Sequence, residues 1–190
     1  MKILSNDPHD IFIFENAMEK EQCENIIKFI DSLEGEKLSI KIGNNVECFI
    51  WSLEDLENTK KHKIQCKMLI NKIHQILDLS MLELSKKIEY IKYDTDSGFH
   101  LRKIYGKTKC HVDSISTPNK SYARSLSVIL ALNDNFDGGE FKFPKHDISI
   151  KLKQGSIICF PPYWTHPHEV TSVGNNQFRY TISTWMLEKI

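Results

Sequence analysis

A chain of 190 residues is long enough for one well-filled core and short for two. With 41% hydrophobic and 26% charged residues, and 25 basic side chains against 25 acidic ones, it has an ordinary globular composition and no electrostatic footprint for nucleic acid. Its opening, MKILSNDPHD, does not read as the apolar segment of a signal peptide, and no stretch reaches the roughly 20 apolar residues of a membrane helix.

Five cysteines stand far apart, are odd in number and include no CxxC pair, so the expectation is reduced thiols in a cytoplasmic protein. Residues 17–34 carry Cys23, Ile26, Ile27, Ile30 and Leu33 at helical spacing before a stop at Gly35. Residues 56–79 repeat the pattern with Ile64, Met68, Leu69, Ile73, Ile76 and Leu77. Both stretches predict amphipathic helices with apolar stripes facing a core.

From Ile88 the period changes to two. Residues 147–153 alternate, with Ile148, Ile150 and Leu152 on one face and Ser149, Lys151 and Lys153 on the other, as in a half-buried strand. Further strands are predicted at 88–93, 99–105, 110–113, 125–132, 139–143, 156–160, 168–173 and 177–186. Turn residues separate several of them: Asn133-Asp134, Gly138-Gly139, Gly155 and Gly174-Asn175-Asn176. Helices that precede the strands argue against a doubly wound sheet. The expectation is one domain over 1–190, mainly β with N-terminal helices: a helical support region at 1–87 and a sandwich or jelly-roll core at 88–190.

Chemistry concentrates in two places. In Cys110-His111-Val112-Asp113 a strand would present His111 and Asp113 on one face. An imidazole and a carboxylate side by side suit iron(II) once a third ligand joins them, but such a pair is common by chance. The segment Phe160-Pro161-Pro162-Tyr163-Trp164-Thr165-His166-Pro167-His168-Glu169-Val170 ends one strand and starts another, offering His166 or His168. Beyond it, alternation puts Arg179, Thr181, Ser183 and Trp185 on one face. An arginine and two hydroxyls are costly to bury empty, whereas a guanidinium binds a carboxylate with two parallel hydrogen bonds.

These residues fall in ordered blocks: His111-Val112-Asp113; Val128 to Asn133 with Phe136-Asp137-Gly138-Gly139-Glu140; Gly155 to Pro161; His168-Glu169-Val170; Arg179 and Trp185. In that order the chain resembles the 2-oxoglutarate- and iron(II)-dependent dioxygenases of the prolyl 4-hydroxylase type. Residues 11–17, leading to Cys23, resemble that family's first strand and helix, and the middle, 36–87, is its weak part. The resemblance implies a double-stranded β-helix with His111, Asp113 and His168 as iron ligands and Arg179 as partner of the co-substrate's far carboxylate. His168 takes precedence over His166 because the family-like Glu-Val pair follows it. Thr181 and Trp185 share the face of Arg179, and Tyr105 is the candidate for the family's co-substrate tyrosine.

By the same resemblance iron(II), 2-oxoglutarate and dioxygen are required, with ascorbate as a candidate reductant. The reaction is hydroxylation of a C–H bond with release of succinate and carbon dioxide. A prolyl residue in a peptide or protein is the first expectation for substrate, and a free amino acid or small metabolite the second. Neither nucleic acid nor a membrane is expected as a partner: a nucleic-acid repair oxygenase typically carries a second arginine soon after the first, and no arginine follows Arg179. A non-catalytic jelly-roll module and a zinc site are further alternatives. The loop 114–123 is a candidate substrate lid. Departures from the pattern are Phe141, where the family often has threonine, a Tyr105 closer than usual to the His-x-Asp, and one extra residue between His168 and Arg179.

Overall fold

In the computed structural model, residues 2–3, 9–34, 40–41, 46–88, 93–114 and 121–190 are described. Among them are the strands β1 (Lys2–Ile3), β2 (Phe12–Glu15), β3 (Ile40–Lys41), β4 (Val46–Ser52), β5 (Thr95–Asp96), β6 (His100–His111) and β7 (Tyr122–Ala131). They continue with β8 (Phe141–Phe143), β9 (Ile148–Ile150), β10 (Ile157–Phe160), β11 (His168–Val170) and β12 (Arg179–Lys189). Helices are α1 (Lys20–Ser32), α2 (Leu53–Glu57) and α3 (Lys63–Ser85).

The strands join in one curled antiparallel sheet ordered β1-β2-β10-β7-β12-β6-β11-β8-β9, with β4 attached to β6 and β5 to β12. This is the jelly-roll architecture expected from the sequence. Strand β6 is its hinge. Its first half pairs with β12, from Leu101↔Ile182 to Ile104↔Arg179, and its far end pairs with β11, His111 lying opposite His168. One strand therefore belongs to both sides of the curl, and the space it turns around is the candidate site.

Alternation decides what each face does. On β12, Tyr180, Ile182 and Met186 enter the main core with Leu101, Leu126, Leu130 and the helices. Helix α1 begins with a capping box between Glu19 and Gln22 and buries Cys23, Ile26, Phe29 and Ile30 in that core. Asp31, at its end, accepts from Lys103 Nζ at 2.8 Å and from Tyr180 Oη at 2.7 Å, pinning helix to sheet. Ser52 Oγ caps α2 through Asp55 N, and the Glu54 carboxylate accepts from Phe99 N at 2.9 Å, fixing the approach to β6. A second cluster of Phe141, Phe143, Ile158, Phe160 and Val170 fills the other side.

Several expectations change. The strands predicted at 99–105 and 110–113 are one strand, β6, because pairing with β4, β12 and β11 carries it through the polar run Gly106-Lys107-Thr108-Lys109. Residue 87 is not a boundary between helix and sheet, since β2 and β4 pair with β10 and β6. The helix predicted over 56–79 is two, α2 and α3. Its Ile64 and Met68 are 77% and 69% exposed, and the buried face uses Cys66, Ile73, Ile76, Leu77, Met81 and Leu84 instead. Most of the strand predicted at 88–93, and residues 115–120 of the candidate lid, lie outside the described residues.

Candidate active site

A cavity of about 410 Å³ opens where β6 leaves β12 for β11. His111, Asp113, His168, Arg179, Thr181 and Trp185 all line it. One ligand atom from each of His111, Asp113 and His168 lies within 4.8 Å of the others. His111 Nε2 is 3.3 Å from Asp113 Oδ1, and His168 Nε2 is 3.9 Å from Asp113 Oδ2. The ring centroids of the two histidines are 4.4 Å apart.

Neighbouring backbone orients both imidazoles. His111 Nδ1 lies 2.8 Å from Lys109 O and His168 Nδ1 lies 3.2 Å from His166 O, so each Nδ1 donates and each Nε2 is turned towards Asp113. Asp113 is placed differently from the sequence expectation. Strand β6 ends at His111, and Asp113 sits in the bend after it. Its position comes from tertiary contacts: Ser127 Oγ donates to Oδ2 at 2.7 Å and Arg124 Nη1 donates to its backbone carbonyl.

Protonation fits a cation site. Burial works against the ionised Asp113, but the hydrogen bond with His111, the charge of His168 and the Ser127 hydroxyl outweigh it and hold the carboxyl well below its usual range. The bond to Asp113 raises His111, whereas burial lowers His168 towards its neutral form. Two imidazoles with their Nε2 atoms turned towards one ionised carboxylate, and among the described residues no fourth ligand in the cluster, match the donor set that suits non-haem iron(II). The residues present fit the metal.

His166 does not join this cluster. It is 4% exposed, with Nε2 2.6 Å from His9 O and Nδ1 2.9 Å from Thr165 Oγ1. Arg179 is buried on the cavity wall with its Nε unpaired and its guanidinium 5.1 Å from the Phe141 ring centroid. Phe141, which departs from the resembled pattern, is thus a stacking surface for the arginine. Burial, with the like charge of Arg102, pushes Arg179 down to about 10, which leaves it cationic near neutrality. Thr181 is buried beside it, and Trp185 has an unpaired buried Nε1.

Tyr105 corrects the sequence reading. It is not a cavity residue, because alternation along β6 points Arg102 and Ile104 inward and turns Tyr105 outward, 5.8 Å from Phe49. Sequence reasoning missed Arg102, Arg124 and Ser127, together with Cys48 and Ile50 of β4, all of which line the cavity. Arg102 stands at alternate spacing with Ile104 before the His-x-Asp, a signal that was available; β4 lay in a stretch with no recognised pattern.

Residues 99–187 match the model of the 2OG-Fe(II) oxygenase superfamily. Prolyl 3-hydroxylase 2 of Mus musculus is 40% identical over 67 residues, which is 33% of this chain and 9% of that protein. The chain therefore spans a small part of that relative. Among solved structures, a prolyl hydroxylase of Trichoplax adhaerens in complex with a hypoxia inducible factor peptide fragment superposes with a TM-score of 0.71 at 14% identity. That match covers 95% of this chain and 84% of the other. A viral collagen prolyl hydroxylase of Paramecium Bursaria Chlorella virus-1, in complex with 2OG, gives 0.65 at 18% identity, over 95% and 97%. A Pseudomonas putida prolyl-4-hydroxylase gives 0.67 at 15%, over 94% and 92%. Residues 99–187 thus match the 2OG-Fe(II) oxygenase superfamily in sequence, and the fold that surrounds them is the fold of prolyl hydroxylases.

Proposed function

We propose that this protein is a 2-oxoglutarate- and iron(II)-dependent dioxygenase that hydroxylates a prolyl residue in a peptide or protein. The observation that carries the reading is convergence of His111, Asp113 and His168 in one cavity whose wall also bears the buried Arg179, its Nε without a partner among the described residues. A binding module has no need of that combination.

Iron(II), when bound, supplies dioxygen activation coupled to decarboxylation of 2-oxoglutarate, so that co-substrate, dioxygen and R–H become succinate, carbon dioxide and R–OH. The chain's own residues do the holding. Lys109 O and His166 O keep each Nδ1 protonated and each Nε2 available, and Ser127 keeps the Asp113 carboxylate ionised and turned inward. Arg179 receives the far carboxylate of the co-substrate with Thr181 beside it. Apolar side chains, Ile50, Ile104 and Val170 among them, form another part of the cavity wall.

Substrate class is supported by the neighbouring structures and by the turn before His168. Tyr163 and Trp164 are 40% and 74% exposed, so these two aromatics are surface and not core, and they can pack on a proline ring of an extended chain. Among the described residues no helix is long and apolar enough to cross a membrane. The unpaired thiols support a reducing, cytoplasmic setting. The test is turnover with proline-rich peptides, free L-proline and other amino acids, reading succinate release together with a mass gain of one oxygen atom. Coupling to a free amino acid and to no peptide would move the reading to a small-molecule hydroxylase.

A further inference from the structure

Three guanidiniums line the cavity, those of Arg102, Arg124 and Arg179, against one carboxylate, Asp113. On the reading above, a divalent metal and the two carboxylates of 2-oxoglutarate cancel, and Arg179 is used by one of those carboxylates. Two positive charges remain without a counter-charge.

They are not equivalent. Arg124 donates to the carbonyl of Asp113 and lies 3.7 Å from the Trp185 ring centroid, so structural contacts account for it. Arg102 is held by less, its guanidinium lying farther from the same ring. Among the described residues it has no ion pair or hydrogen bond, its Nε is buried without an acceptor, and Trp185 is 6.0 Å away. It stands opposite Thr181 on β12 and Ile50 on β4. Ser183 Oγ and Trp185 Nε1, on the same cavity wall, are also buried without partners. Buried polar groups are ordinarily paired, and a group of orphans around a cation is the signature of a site made for an anion.

We infer that Arg102, with Ser183 and Trp185 beside it, is a second carboxylate-binding point, and that the substrate brings this carboxylate. The inference rests on the dioxygenase reading. Metal and Arg179 satisfy the near and far carboxylates of the co-substrate, so a third carboxylate must come from the molecule being hydroxylated. Across the β6–β12 pair Arg102 faces Thr181 and Ile104 faces Arg179, so Arg102 is a diagonal neighbour of Arg179 on the cavity wall, one residue pair further along β12 towards Ser183 and Trp185. The substrate is accordingly an acid: a free amino acid, or a residue whose own or neighbouring carboxylate lies close to the carbon that reacts.

The experiment uses full-length protein loaded with manganese(II), which does not turn over. Titration calorimetry first measures 2-oxoglutarate, then, at saturating 2-oxoglutarate, N-acetyl-L-proline and its neutral methylamide. In the wild type the acid should bind at least tenfold more tightly than the amide. Arg102→Gln should erase that preference while leaving 2-oxoglutarate affinity within about threefold, and Arg102→Lys should restore part of it. Thermal melting serves as the folding control: removal of an unpaired buried cation should leave the ligand-free melting temperature unchanged or raised. No preference for the acid in the wild type overturns the inference. So does Arg102→Gln weakening 2-oxoglutarate as much as Arg179→Gln does, since Arg102 would then belong to the co-substrate clamp. Failure of the wild type to bind 2-oxoglutarate at all would instead remove the dioxygenase reading beneath it.

Discussion

His168 stands directly opposite His111 across the β11–β6 pair, so two residues far apart in sequence present their Nε2 atoms to one point beside Asp113. The site thus depends on the register of this single short pairing as much as on the identity of its ligands.

His168→Ala should therefore abolish both iron binding and turnover in a protein that still folds, since the apolar clusters fill the core without it. Metal content and circular dichroism measure the two effects. A variant that keeps full iron stoichiometry would show that His168 is not a ligand.

Ser127→Ala removes the hydroxyl that donates to Asp113 Oδ2 at 2.7 Å. Loss of such an orienting partner typically weakens metal affinity by about 10–100-fold. Titration of iron(II) or manganese(II) into the variant checks this. Unchanged affinity would mean that Arg124 and the backbone alone hold Asp113.

Metal binding should weaken as pH falls from about 8 to about 6, because a proton held on His111 by Asp113 must leave first. The signs for apoprotein stability differ by group. His111 is raised, so its contribution is present below its ordinary value and is lost as pH rises through the raised one. Asp113 is depressed, so its contribution is present above its ordinary value of about 4 and is lost as pH falls through the lowered one. His168 is lowered, so charging it costs stability as pH falls below its ordinary value. Affinity that stays flat over pH 6–8, measured by calorimetry, would count against a His111–Asp113 pair in the metal site.

Arg179→Ala should raise the 2-oxoglutarate requirement strongly, since breaking a desolvated ion pair costs about 3–5 kcal/mol. Arg179→Lys should retain part of the function, because lysine keeps the charge and loses the two-pronged hydrogen bond. Both variants should bind iron normally. Equal loss of metal and co-substrate would assign Arg179 a structural role.

Trp164→Ala should change stability by no more than about 0.5 kcal/mol, as expected for a side chain 74% exposed. If the turn before His168 receives a proline-containing chain, the same variant should raise KM for peptides and leave 2-oxoglutarate affinity intact. A KM equal to that of the wild type for every peptide would take Trp164 out of the substrate surface.

What the sequence determined by itself was local. The period of two at 179–186 put Arg179, Thr181, Ser183 and Trp185 on one side, where all four line the cavity, and Tyr180, Ile182, Thr184 and Met186 on the other, where all but Thr184, which also lines the cavity, enter the core, because side-chain direction along a strand depends mainly on spacing. The spacing of Cys23, Ile26 and Ile30 identified α1 for the same kind of reason. Tertiary structure decided everything that depends on which strand lies beside which. Register on β6 sets His168 opposite His111 while His166 bonds to His9, and it turns Tyr105 outward while turning Arg102 in. The bend after His111 gave Asp113 its place through Ser127, a residue on another strand. Strand pairing is a long-range choice made by burial and hydrogen bonding together, and no local pattern in the chain encodes its partner.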